Sequence, residues 1–99
     1  MRDLLSAEEL TSALRSLSTA WRVEDGVLAC SIKAASFAAG IQLVDRVAAL
    51  ADEIDHHPDI DVRWTTVTFR LTTHSAGGLT EQDVRLATAI DRLAHGERS

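Results

Sequence analysis

Histidines are the side chains of this chain best suited to acid–base chemistry. Three of the four histidines flank one predicted strand: His56 and His57 precede it, beside the only proline, Pro58, and His74 follows it. Imidazole titrates near neutral pH, so it can lend and take back a proton at little cost. Three imidazoles in one pocket could protonate a leaving hydroxyl and accept a proton elsewhere, typically speeding a reaction about 10²–10⁴-fold. The spacing allows such a pocket, but surface histidines around a helix end fit the same spacing equally well.

The histidine cluster has two further interpretations, one that involves nearby aspartates and one that involves a metal ion. Asp55 or Asp52 could orient an imidazole or stabilise its charged form. Three histidines could also hold zinc. Adjacent histidines in an extended segment point in opposite directions, however, so joint ligation by His56 and His57 is awkward, and a metal site is the less favoured alternative.

Composition restricts the class of protein. The 99 residues are 45% hydrophobic and 25% charged, which is typical of one soluble globular domain spanning residues 1–99. A net charge of -5 with scattered basic residues argues against direct nucleic-acid binding. The acidic start is not a secretory signal, and no stretch approaches the roughly 20 apolar residues that cross a bilayer, so we expect a cytoplasmic protein without membrane contact. The single cysteine, Cys30, cannot form an intrachain disulfide and is expected to be buried.

The elements that must position the histidines begin with a helix and a hairpin. Ser6 and Glu9 form a capping-box pattern before leucines at helical spacing, which predicts a first helix ending near Ser18. From Trp21 the pattern alternates, and a turn at Gly26 predicts a hairpin.

A long second helix should follow Ser36 and end at or before the histidine pair, because Pro58 disfavours helical geometry at His57. Its apolar positions predict burial across a broad face, and Gly40 could mark close packing against the sheet. These apolar positions are Phe37, Ile41, Leu43, Val44, Val47, Ala48, Leu50, Ala51 and Ile54.

The last third predicts strands and a third helix. An acidic turn at Asp59 and Asp61 is expected to lead into a strand region, and the parity of its apolar residues changes between Trp64 and Val67, which indicates a bulge, a bend or two short strands. A capping pattern from Thr80 starts a helix that Gly96 should end. The chain is therefore predicted to be α+β: a two-layer sandwich with a four-stranded antiparallel sheet, helices on one face and the order α-β-β-α-β-β-α.

Three motifs together resemble the pterin-4a-carbinolamine dehydratase family. They are Asp55-His56-His57-Pro58, then Thr73-His74 fifteen residues after the proline, then Gly78-Leu79-Thr80 with Asp83. The opening Leu5-Ser6-Ala7-Glu8-Glu9, Trp21 and Phe37 also match, so the resemblance covers nearly the whole chain.

The resemblance implies a dehydratase that converts 4a-hydroxytetrahydropterin to quinonoid dihydropterin in tetrahydrobiopterin recycling. It also implies no metal and no organic cofactor, because imidazoles suffice for the loss of water from a hydroxyl next to an amine nitrogen. It implies that His56, His57 and His74 line the pterin pocket: His56 and His74 transfer protons, and His57 positions the pterin or stabilises charge. Substrate-binding roles are expected for Asp52, Asp55, Pro58 and Asp83. Asp83 is as readily explained as half of a capping box. Asp55 could be a turn acid at a helix end, but a site role as partner to a histidine is favoured. Trp21 is read as core rather than as a lid.

Departures from the family's usual pattern concern the pocket margin, and they leave the catalytic rate open. Asp52 replaces a glutamate, Ile60 an aromatic residue and Gln82 an arginine. The resemblance also implies a homodimer or homotetramer, for which an exposed sheet edge would be a natural pairing surface. The alternative function is a noncatalytic interaction protein like the animal members that serve as dimerisation cofactors of a transcription factor. That role would use the oligomer surface, especially the long helix.

Overall fold

Three helices and a four-stranded antiparallel sheet make up the described part of the chain, as predicted. The computed structural model describes residues 3–95. The sheet order is β1-β2-β4-β3, and every neighbouring pair is antiparallel. In chain order the elements are α1 (Ala7–Ser16), β1 (Trp21–Glu24), β2 (Val27–Lys33), α2 (Phe37–Ile54), β3 (Asp59–Arg63), β4 (Thr66–Leu71), a 3₁₀ turn (His74–Ala76) and α3 (Glu81–Ala94).

Two tight hairpins build the sheet. Asp25 and Gly26 both have positive φ, 50° and 75°, as a two-residue turn that matches the twist of the flanking strands requires. The second turn contains Trp64, with φ of 52°. It reverses the chain so that Val62 pairs with Val67, which explains the change in parity: of the three alternatives, two short strands is the right one.

The predicted acidic turn at Asp59 and Asp61 is wrong. Both residues lie in β3, opposite Arg70 and Thr68 of β4. Because β4 supplies a ladder of backbone partners immediately after Pro58, the acidic side chains are carried on a strand and not on a loop.

One face of the sheet carries the core, and the helices cover it. Cys30 of β2 lies opposite Phe69 of β4, and both are fully buried. The opposite face is mostly polar, with a 2.9 Å hydrogen bond between the hydroxyls of Ser31 and Thr68. The buried apolar cluster comprises Leu17, Trp21, Leu28, Cys30, Val47, Val67, Phe69, Leu71, Leu79, Leu86, Ala87 and Ile90.

The second helix buries a narrower face than its sequence predicted. Val47 and Ala51 are buried, but Phe37 and Ile41 are 54% and 43% exposed. Close packing at Gly40 does occur: a β-carbon there would lie 3.3 Å from Cγ2 of Val67. A four-stranded sheet that also supports α3 covers only the stripe of α2 that faces it, so the remaining apolar side chains stay at the surface.

Two further expectations concern the chain as a whole. No helix among residues 3–95 is long and apolar enough to cross a membrane. Gly96, which was predicted to end α3, lies outside the described residues.

Candidate active site

The end of α2 fixes the backbone of His56. Asp55 adopts the left-handed conformation, with φ 53° and ψ 46°, and its N–H donates to the carbonyls of Ala51 and Asp52. The N–H of His56 then donates to the Ala51 carbonyl at 3.1 Å. The bonds from Asp55 to Asp52 and from His56 to Ala51 form a Schellman-type helix end, in which aspartate occupies the place that glycine usually takes. His56 is therefore held at a defined point just beyond the helix.

The carboxylate of Asp83, in the first turn of α3, forms a hydrogen bond with the imidazole of His56. His56 Nε2 and Asp83 Oδ1 lie 2.6 Å apart. Asp83 is fully buried, while the His56 side chain is 11% exposed. The same carboxylate closes the capping box of α3, because the N–H of Thr80 donates to its Oδ2 at 2.9 Å. Asp83 therefore has the capping role and also contacts a candidate catalytic histidine.

The end of β4 reaches the same carboxylate. Thr73 donates its hydroxyl to Asp83 Oδ2 at 2.8 Å and pairs with Gly78 through an isolated β-bridge. His74 follows Thr73 and begins the 3₁₀ turn. Its side chain is exposed and makes no hydrogen bond within residues 3–95. Asp83 therefore brings the His56 segment and the Thr73–His74 segment together, and it leaves the His74 imidazole available.

His57 points elsewhere. Its Nε2 lies 2.9 Å from Oδ1 of Asp52, in the last turns of α2, and both side chains are largely exposed. Exposed pairs of this kind contribute about 0–1 kcal/mol to stability. In the part of the chain that the structure describes, no three His, Cys, Asp or Glu side chains are placed to hold a metal ion.

The remaining predicted residues lie around this pair of segments. Asp55 is exposed, Pro58 is half-buried, and Ile60 is exposed on β3. Gln82 is half-buried in the first turn of α3. An open cavity of about 380 Å³ beside that turn is lined by Thr80 and Gln82, together with the segment before α1 and the first turn of α1, and by none of the three histidines.

Trp21 belongs to the core, as predicted. It is 5% exposed, and its indole N–H donates to Asp91 Oδ1 at 2.9 Å.

Sequence reasoning gave Thr73 no role of its own. Its parity with Phe69 and Leu71 was a usable signal, because that parity turns position 73 towards the core. A hydroxyl buried there needs a hydrogen-bond partner, and Asp83 is that partner.

Comparison with known proteins identifies the family. A sequence model of the family described as Pterin 4 alpha carbinolamine dehydratase matches residues 3–93. The chain belongs to this family. A protein of Nocardia farcinica is 52% identical over 92 residues, 93% of this chain and 96% of its own length. A protein of Mycobacterium tuberculosis is 50% identical over 90 residues, 91% of this chain and 95% of its own length. Both relatives are provisionally named as pterin-4-alpha-carbinolamine dehydratases.

Solved structures in the family share the fold. A transcriptional coactivator/pterin dehydratase from Brucella melitensis superimposes with a TM-score of 0.88 at 30% identity, covering 93% of this chain and 99% of that one. A pterin dehydratase-like protein, described as a RuBisCO assembly factor in the α-carboxysome, gives 0.63 at 26% identity, covering 79% and 89%. Proteins that share this fold are therefore also described by roles other than dehydration.

Proposed function

We propose that this chain dehydrates 4a-hydroxytetrahydropterin to quinonoid dihydropterin and water by histidine acid–base catalysis. The observation that carries the proposal is the hydrogen bond between His56 and the buried Asp83, beside the segment that presents His74. A buried carboxylate that holds one histidine and also contacts Thr73, beside a second histidine free of side-chain hydrogen bonds within residues 3–95, is an arrangement suited to moving two protons.

The reaction requires two proton transfers and no oxidant or reductant. One imidazole protonates the 4a-hydroxyl, and the carbon–oxygen bond breaks with loss of water. The other takes the proton from the neighbouring ring nitrogen, whose electron pair forms the new carbon–nitrogen double bond. His56 and His74 carry these transfers in the proposal. His57, linked to Asp52 at the surface, positions the pterin or stabilises charge.

The remaining substrate contacts are assigned to the residues around the pair. Asp55, Pro58 and Asp52 border the histidines, and Asp83 acts through His56. In this proposal, pterin dehydration at this site is a step of tetrahydrobiopterin recycling. A cytoplasmic location stays a prediction, as does a single domain over residues 1–99.

The direct test is the decay of the ultraviolet absorbance of 4a-hydroxytetrahydropterin with the purified full chain and no added metal. We expect acceleration over the uncatalysed rate, and a loss of most of it in His74→Ala. His95→Ala is the matched control, because His95 is exposed at the far end of α3 and bonds only to that helix within residues 3–95. No acceleration by a correctly folded sample, or full activity of His74→Ala, would reject the assignment.

The alternative is a noncatalytic interaction protein, and the exposed apolar residues of α2 favour it. Phe37 and Ile41 lie one helical turn apart, outside the core. The same residues, or the edge of β3 that has no paired strand within residues 3–95, could support the homodimer or homotetramer that we propose. Light scattering after size exclusion measures the assembly, and Phe37→Ser with Ile41→Ser should dissociate it if α2 provides the interface. A folded but inactive chain would favour the interaction role.

A further inference from the structure

Two buried threonines lie behind the His56–Asp83 pair, and the reaction as proposed above does not use them. Thr73 and Thr80 are 3% and 1% exposed. Their hydroxyl oxygens lie 2.8 Å apart, and the Thr73 hydroxyl lies 2.8 Å from Asp83 Oδ2. A buried hydroxyl group needs a hydrogen-bond partner. The cap of α3 uses only the hydroxyl of Thr80, so capping does not account for the hydroxyl of Thr73. The second hydroxyl therefore requires its own explanation.

The direction of each hydrogen bond follows from counting protons. The N–H groups of Thr80 and Gln82 can only donate, to Asp83 Oδ2 at 2.9 Å and to the Thr80 hydroxyl oxygen at 3.3 Å. Thr73 gives its single hydroxyl proton to Asp83 Oδ2. Thr80 must then donate its own hydroxyl proton to Thr73. The bonds all run one way, from the first turn of α3 through both hydroxyls to the carboxylate, and bonds aligned in this way polarise one another.

This series of hydrogen bonds determines whether Asp83 donates a proton to His56 or only accepts one from it. Oδ2 is occupied by two donors, the Thr73 hydroxyl and the Thr80 N–H, so it has no place for an acid proton. Oδ1 then faces His56 Nε2 as an acceptor, at the short distance expected of a charge-assisted bond. The proton between them belongs to His56 Nε2. In the neutral imidazole the lone pair is then on Nδ1, the nitrogen directed away from Asp83.

We propose that Thr73 and Thr80 are positioning residues that fix His56 as the Nε2–H tautomer and so make Nδ1 its proton-accepting atom. The effect on rate rests on the proposed dehydratase function; the effect on the tautomer does not. Neither hydroxyl contacts the substrate in this proposal. Both act through Asp83. The hydrogen bonds at the start of α3 therefore decide which ring nitrogen of His56 carries the proton.

The test compares Thr73→Val, which removes the hydroxyl at nearly constant shape, with Thr73→Ser, which keeps it. Long-range ¹H–¹⁵N spectra of the full chain, at a pH where the imidazole is neutral, report which nitrogen of His56 carries the proton. We expect Nε2–H in the wild type and in Thr73→Ser, and a mixture of tautomers in Thr73→Val. In the dehydratase assay, Thr73→Val should lower kcat by about 10- to 100-fold, as when outer-shell partners of metal-bound histidines are removed, with KM little changed. Thr73→Ser should recover most of kcat.

The outcomes separate the two proposals. A proton on Nδ1 of His56 in the wild type would overturn the positioning proposal by itself, without the measurement of any variant. An unchanged tautomer and unchanged kcat in Thr73→Val also overturn it. A shifted tautomer in a protein without dehydratase activity supports the positioning proposal and rejects the proposed function. If Thr73→Val does not fold, Thr73→Ala is measured against Thr73→Ser by the same two readouts.

Discussion

Asp91 links α3 to the chain that connects α1 with β1, and its removal should destabilise the protein strongly. Its Oδ2 accepts the N–H of Ser18 at 2.7 Å, and its Oδ1 accepts the Ser18 hydroxyl at 2.8 Å and the Trp21 indole N–H at 2.9 Å. The Asp91 side chain is only 15% exposed. Asp91→Ala would leave three donors at a mostly buried site without this acceptor.

The magnitude follows from the kind of bond that is lost. A hydrogen bond to a charged group contributes about 1.5–3 kcal/mol net. Three such bonds at the lower end of this range would contribute about 4.5 kcal/mol. Because water can reach part of the site and replace some of these bonds, we expect Asp91→Ala to cost about 3–4 kcal/mol. For a domain of this size, that loss corresponds to a fall in Tm of about 12–30 °C.

Urea unfolding followed by circular dichroism measures the loss without depending on the fluorescence of Trp21. Asp45→Ala is the control, because Asp45 is an exposed acid of α2, and its change should stay within about 0.5 kcal/mol. Combining Asp91→Ala with Trp21→Phe should cost less than the two single changes together, because they remove the same bond. A loss for Asp91→Ala no larger than that of the control would refute this account of the Asp91 contacts.

Three further predictions concern the core, the thiol and the end of α2. Phe69→Ala should cost about 3–5 kcal/mol in urea unfolding, because the fully buried ring would leave a cavity; a loss below about 1 kcal/mol would contradict the packing. Burial, and to a smaller extent the negative charge of Asp91, raises the pKa of the Cys30 thiol from 9.0 to about 11. The unfolded chain therefore releases this proton first, so stability should fall as pH rises from 9 towards 11, and unfolding curves of Cys30→Ala should lack that part of the fall. Asp55→Gly should keep stability or raise it by up to about 1 kcal/mol in thermal melts, since glycine adopts positive φ without strain; lost dehydratase activity in that stable variant would assign the carboxylate a role beyond the turn.

Local signals predicted the elements of this fold well. Ser6 and Thr80 were recognised as helix caps because a hydroxyl or carboxylate near the first turn satisfies free N–H groups of the helix, wherever the rest of the chain lies. Pro58 limited α2 for an equally local reason, which is its clash with helical geometry at the preceding residue. At Trp64 the parity showed an interruption, but choosing a hairpin over a bulge required knowing that β3 pairs with β4.

Local sequence patterns could not predict the contacts between distant parts of the chain. His56 and Asp83 are 27 residues apart, and Trp21 and Asp91 are 70 apart. Nothing in a local pattern specifies that these side chains meet. The exposure of Phe37 has a related cause: periodicity identifies which face of α2 is apolar, but the width of the sheet and the position of α3 determine how much of that face is covered.

The two uses of Asp83 have an evolutionary consequence. A lineage that abandoned catalysis would still be selected to keep Asp83 and Thr80, because the first turn of α3 depends on their reciprocal bonds. His74, whose side chain makes no hydrogen bond within residues 3–95, would be free to drift once its chemistry was no longer needed. On the function proposed here, the identity of the residue at position 74 records whether a descendant still turns over substrate, whereas retention of Asp83 records only that it still folds.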